Sequence, residues 1–181
     1  MSEHLRFREL VLPQLDAGYN LARWLTRNSH DAEDVVQDAC VRAIQYFNAL
    51  RGSDARAWFL AIVRNSFYDR CRRDRTHPTI SVEEESARIE ALADPGAIDP
   101  ELAAVRSEQS RQLALAMARL PLAYREIVIL RDLEDLSYKE IASVLAVPIG
   151  TVMSRLARAR ALLQEVLLAP GAVTTGQRGQ E

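Results

Sequence analysis

Val152, Leu156, Ala159, Leu163 and Val166 follow one another at steps of four, three, four and three residues. That is the repeat of one face of an α-helix and is incompatible with the two-residue alternation of a strand. Ser154, Ala157, Arg158 and Ala161 fall on the opposite face, with Met153, Arg155 and Arg160 on its flanks, and no acidic residue occurs between Glu140 and Glu165. The segment therefore reads as a helix buried along one stripe, with a small-residue, basic surface behind it. Just upstream, Ser137-Tyr138-Lys139-Glu140 has the spacing of a capping box. In that arrangement the Ser hydroxyl accepts from the N–H three residues on, and the Glu carboxylate reaches back to the Ser N–H. It predicts a short helix ending near Ala146, a break at Val147-Pro148-Ile149-Gly150, and a last helix capped by Thr151 that runs to about residue 168.

Two helices joined by a tight turn containing Pro and Gly match the helix-turn-helix plan. Small residues let the second helix sit deep in a major groove, where Arg158 reaches base edges. Arg155 and Arg160 suit phosphates, and the N–H groups near Thr151 offer a further phosphate contact. The competing reading is a surface helix whose arginines are merely solvated. The agreement of capping box, turn and buried stripe favours DNA.

The rest of the chain is also read as helical, giving an all-α fold. Helices are expected over residues 7–28, 31–48 (capped by Asp31), 54–73, 100–119 and 122–133. In the second, Ala32, Val35, Val36, Ala39, Cys40, Ala43, Ile44 and Phe47 recur at helical spacing; in the third, Trp58, Phe59, Ile62, Ser66 and Phe67 form the inner face. Pro121 disfavours helix at Leu120. An apolar content of 48% is ample for packed cores.

The net charge of −2 hides a division. Residues 1–76 hold 12 Lys/Arg against 10 Asp/Glu, residues 77–110 hold 2 against 8, and residues 111–181 hold 9 against 7. Two small helical domains are expected, over residues 1–76 and 106–168, joined by a flexible acidic linker over 77–105 and followed by a disordered tail over 169–181. The linker assignment rests on Glu83-Glu84-Glu85 and the turn-forming Asp94-Pro95-Gly96 and Asp99-Pro100.

Several classes of function lack their residues. His4, His30 and His77 are scattered, Cys40 and Cys71 do not pair with them at metal-ligand spacing, and no phosphate loop or dinucleotide fingerprint occurs. Neither an enzyme nor a metal or other cofactor is expected. Two cysteines do not make a disulfide framework, and no stretch approaches the roughly 20 apolar residues of a membrane span. A cytoplasmic protein is expected.

Two polar faces precede the linker. Glu33, Asp34, Gln37, Asp38, Arg42 and Gln45 share one side of the second helix, either as a solvated face or as a surface for a partner helix. On the third helix Arg64, Tyr68 and Arg72, and likewise Asn65, Asp69 and Arg73, lie four residues apart. Arginines mixed with an aromatic ring suit backbone tracking and the stacking of unpaired bases.

These segments resemble the extracytoplasmic-function (ECF) sigma factors, the smallest members of the sigma-70 class. Asp31-Ala-Glu-Asp-Val-Val-Gln-Asp-Ala-Cys-Val-Arg-Ala-Ile44 is similar to the family's polymerase-binding helix. Arg56-Ala-Trp-Phe-Leu-Ala-Ile-Val-Arg-Asn65, running on to Asp69-Arg-Cys-Arg-Arg73, is similar to its promoter-melting helix. Leu120-Pro121, Tyr124-Arg125, Ser137-Tyr-Lys-Glu-Ile-Ala142, Gly150-Thr-Val-Met-Ser-Arg155 and Arg158-Ala-Arg160 resemble its second domain. The resemblance covers about residues 10–168 apart from the linker.

It implies that Asp34, Gln37, Asp38 and Arg42 bind core RNA polymerase at the clamp helices of the β′ subunit, and that the second domain meets the flap of the β subunit. It implies that Arg51, Arg56, Arg64, Asn65, Tyr68, Arg72 and Arg73 serve minus-ten recognition and melting. Thr151, Met153, Ser154, Arg155, Arg158 and Arg160 would then contact promoter DNA at the minus-thirty-five element. An anti-sigma factor is a further partner the family makes plausible. Met153 stands where the family commonly carries Lys or Arg, and its thioether suits a thymine methyl rather than guanine. A free-standing helix-turn-helix regulator and a sigma-like decoy that binds an anti-sigma protein are the alternatives.

Overall fold

The computed structural model describes residues 3–50, 52, 54–73 and 108–168, and every regular element among them is helical. The expected linker and tail lie outside the described residues. The helices are α1 (Glu3–Leu10), α2 (Leu15–Thr26), α3 (Ser29–Tyr46), α4 (Ala55–Arg73), α5 (Glu108–Arg119), α6 (Leu122–Val128), α7 (Tyr138–Leu145) and α8 (Ile149–Leu168).

The single helix expected over residues 7–28 is two. Pro13 lacks an N–H and crowds the preceding turn. The chain tightens there into a short turn over Leu12–Gln14 before α2 begins. α2 ends with Arg27 in the left-handed region at φ 59°. α3 is capped by Asn28, not Asp31, because the Asn28 side chain accepts from the Asp31 N–H at 3.0 Å.

α4 is the centre of the first half. Phe59, Leu60, Val63 and Phe67 are buried, and α4 packs against α2, α3 and α7. Of its expected inner face, Phe59, Ser66 and Phe67 are buried, whereas Trp58 and Ile62 are half-buried. Gly18 on α2 lets the two helices approach: a Cβ there would lie 2.6 Å from the Phe59 ring. The Phe47 ring, buried beyond the end of α3, meets Phe7 and Trp58 edge-on. Ile44, expected on the inner face of α3, is instead 63% exposed beside exposed Val41. The inner stripe is completed by Ala32, Val35, Ala39 and Ala43, whose small side chains bring α3 close to its neighbours.

In the second half, α6 runs on into a wider turn over Ile129–Leu133, closed by Glu134 N–H to the Ile129 carbonyl at 2.9 Å. The extra residue has a geometric consequence. Glu126 and Glu134 are eight residues apart, whereas two α-helical turns span about 7.2. A wide turn absorbs the difference and returns Glu134 to the side of Glu126. The capping box opens α7 as expected. α8 begins at Ile149, two residues before the expected cap is passed, because the Pro148 carbonyl accepts from the Thr151 and Val152 N–H groups. Val152, Leu156 and Ala159 are buried, while Leu163 and Val166 are half-buried.

The halves are packed together. α2 meets α6 and the wide turn, and α4 meets α7.

Candidate nucleic-acid interface

α7 and α8 are bent by 98° at their break, within the range of a helix-turn-helix. The Ser137 hydroxyl accepts from the Glu140 N–H at 3.3 Å, and the Glu140 carboxylate accepts from the Ser137 N–H at 2.7 Å. These contacts with the Ser137 side chain and backbone hold the Glu140 carboxyl below its ordinary range.

The outer face of α8 carries Met153 (54% exposed), Ser154, Ala157, Arg158, Arg160 and Ala161. Thr151 and Arg155 are half-buried. The Ser154 hydroxyl donates to the Thr151 carbonyl at 3.1 Å, so its proton is already committed within the helix. Arg160 pairs with Asp132. Among the described residues Arg158 has no ion-pair partner, and it stands exposed.

The acidic face of α3 and the basic end of α4 are bound to one another. Arg70 pairs with Asp34 at 2.8 Å, Arg73 with Asp38 at 2.9 Å, and Arg42 with Asp69, which also takes Arg72. Burial pushes the Asp69 carboxyl up, but the hydrogen bonds and charges of Arg42 and Arg72 outweigh it and leave it lowered. Gln37, Asn65, Arg72 and Arg73 are exposed, and Arg56 is half-buried. Arg51 lies outside the described residues.

Arg64 and Tyr68 do not stand on an open face in this structure. Arg64 is 5% exposed and Tyr68 is buried. Arg64 Nε donates to Glu126 Oε1 at 2.9 Å and Nη2 to Oε2 at 3.4 Å, with the guanidinium 4.7 Å from the Tyr68 ring centre. Glu126 is itself 2% exposed. A second carboxylate, Glu134, accepts from Asn20 Nδ2 and from Arg56 Nη2, each at 2.6 Å. Buried Arg125 donates to the Met117 and Leu120 carbonyls at the C-terminal end of α5, and across the boundary to the Trp24 carbonyl at 3.3 Å. That placement satisfies carbonyls the helix end leaves free.

Glu126, Glu134, Asn20 and the buried role of Arg125 were not anticipated. One signal was present: Glu126 is a lone carboxylate leading into the run Ile127-Val128-Ile129-Leu130. A charge in such a run is rarely buried without a partner.

The family described as Sigma-70 region 2 matches residues 10–76, and Sigma-70 region 4 matches residues 110–163. The chain is similar to the ECF RNA polymerase sigma factor SigE of Mycolicibacterium smegmatis, 35% identical over 88% of this chain, and spans 60% of that relative's length. It is 36% identical to SigM of Mycobacterium tuberculosis over 87% of this chain and 74% of that protein. The chain belongs to the ECF sigma factors. A solved relative, the sigma factor RpoE of Bartonella quintana in complex with the anti-sigma factor NepR, superposes with a TM-score of 0.69 at 28% identity. It covers 90% of this chain and 96% of that one. In this ECF sigma factor, α2 to α4 lie in region 2 and α6 and α7 in region 4. The Arg64–Glu126 and Arg56–Glu134 pairs therefore join the two regions.

Proposed function

We propose that this chain binds core RNA polymerase and directs promoter-specific transcription initiation, as a non-catalytic factor acting in the cytoplasm. The observation that carries this reading is the presence, in one chain, of region 2 and of a region 4 whose helix-turn-helix exposes Met153 and Arg158. A free-standing regulator has no use for region 2. A decoy has no use for an exposed basic recognition helix.

In this reading Asp34, Gln37, Asp38 and Arg42 bind the clamp helices of the β′ subunit, and region 4 binds the flap of the β subunit. Arg51, Arg56, Arg64, Asn65, Tyr68, Arg72 and Arg73 act at the minus-ten element and in melting. Thr151, Met153, Ser154, Arg155, Arg158 and Arg160 serve the minus-thirty-five element. Residues 1–76 and 106–168 are the two working domains, with residues 77–105 as their tether. An anti-sigma factor is a further partner, supported by the solved relative that is bound to one.

Transcription of a randomised promoter library by core polymerase plus the purified chain tests the reading. Enrichment of two spaced sequence elements is expected. An unenriched library would overturn it.

A further inference from the structure

Residues 51–54 connect Leu50 to the start of α4, and the function proposed above uses Arg51 at the minus-ten element. So short a connection has little freedom of its own, and its path follows from the two stems that hold it. Both stems are buried, Leu50 at 4% exposure and Ala55 at 2%. A tight turn over Phe47–Ala49 closes with the Leu50 N–H donating to the Phe47 carbonyl at 3.0 Å. On the far side the Asp54 side chain accepts from the Ala57 N–H at 3.4 Å, and the Asp54 carbonyl from the Trp58 N–H at 3.3 Å. Gly52 stands at φ 82°, where a Cβ would meet nothing within 4 Å. The backbone angle, not crowding, calls for glycine there.

α1 reaches the first stem from outside. Arg6 Nη2 donates to the Leu50 carbonyl at 3.4 Å, and its guanidinium lies 5.5 Å from the Phe47 ring centre. The Phe7 ring meets Phe47 edge-on with centres 5.2 Å apart, and Trp58 of α4 meets the same ring at 6.4 Å. One buried ring therefore gathers α1, the end of α3 and the first turn of α4. The carbonyl that Arg6 holds belongs to the peptide leading into Arg51. α1 begins ahead of residue 10, where the match to region 2 starts.

We propose that Arg6 and Phe7 are positioning residues for minus-ten recognition, through which α1 fixes the point and direction at which the chain leaves Leu50. The inference rests on the function proposed above. Groups that recognise a ligand must be held within about 0.5 Å of their productive geometry. A hydrogen bond from a charged donor and a cation over a ring are the stronger kinds of contact for that purpose. Arg6 is half-buried, and it acts through Leu50 and Phe47 without touching DNA.

The test uses the full chain with core polymerase, on promoter libraries randomised at the minus-ten or at the minus-thirty-five element. Arg6→Met keeps an apolar stem and removes the donor and the charge. It should weaken base preference at minus-ten several-fold and leave preference at minus-thirty-five unchanged, and Arg6→Lys should restore part of the loss. Salt dependence separates positioning from contact. Removing an arginine that met a phosphate would take about one unit from the slope of log affinity against log salt, whereas here the slope should be unchanged. Retained minus-ten preference in Arg6→Met overturns the proposal, as does an equal loss at both elements or a lowered slope. If Arg6→Met loses helical circular dichroism, Phe7→Leu, which keeps apolar bulk without the ring edge, decides by the same criteria. A wild-type chain that enriches neither element would instead defeat the function itself, a separate result.

Discussion

Arg64 on α4 donates to the Glu126 carboxylate on α6 through two nitrogens, across 62 residues of sequence, with both side chains almost fully buried. Complete burial pushes the Glu126 carboxyl up, and the Arg64 charge opposes that shift. A buried pair of this kind is costly to half-remove, because the remaining charge has no solvent. In a double-mutant cycle, the losses caused by Arg64→Ala and Glu126→Ala should sum to more than the loss in the double variant. The coupling energy is expected at about 1–3 kcal/mol. Urea unfolding of the four proteins measures it, and strictly additive effects would show the contact to be energetically idle.

Gly18 has no room for a methyl group, since a Cβ there would lie 2.6 Å from a ring carbon of fully buried Phe59. Gly18→Ala is expected to cost about 1–3 kcal/mol through overpacking. Thermal unfolding should show the loss, and Phe59→Leu in the same chain should recover part of it.

The capping box of α7 couples stability to pH. The folded Glu140 carboxyl is held below its ordinary range by Ser137. Its contribution is therefore present above the ordinary carboxylate range and lost as pH falls through the lowered folded value. Ser137→Ala should cost about 1 kcal/mol near neutrality. Glu140→Gln should remove this part of the acid dependence, read as the urea midpoint between about pH 6 and about pH 3.

The exposed pair Val41 and Ile44 extends the face of α3 that carries Gln37. Ile44→Asp should leave thermal stability nearly unchanged, because the side chain is in water. Its affinity for core polymerase should fall at least about tenfold, the scale of a residue at the centre of an interface. A titration of labelled polymerase reads the loss, and unaltered affinity would remove this stripe from the binding surface.

On α8, Arg158→Ala should cost about 1–3 kcal/mol of promoter discrimination and relax preference at one base pair. Arg160→Ala should do less, since Arg160 is already held by Asp132. Selection from a randomised minus-thirty-five element distinguishes the two.

The parts of the fold readable from sequence are those set by near neighbours. The capping box and the buried stripe of α8 depend on residues three and four apart; the box forms as expected, and the stripe is fully buried from Val152 to Ala159 and half-buried at Leu163 and Val166. The break at Pro13 follows from a missing N–H, yet the apolar repeat runs through it and suggested one helix. Asn28 displaced Asp31 as cap because either side chain can serve, and only the backbone path decides. Ile44 fits the apolar spacing of α3 but faces water, since periodicity cannot say how wide the buried stripe is. Arg64 was read as exposed because its partner lies on another helix far along the chain. No local pattern reports that pairing.

The most direct measurement of the central claim is initiation by purified core polymerase on a linear template bearing one selected promoter, with and without this chain. Transcripts from a single start site should appear only when the chain is present, and should fade with Arg158→Ala or Ile44→Asp. The same start site used by core polymerase alone, or none with both components at saturation, would contradict the account.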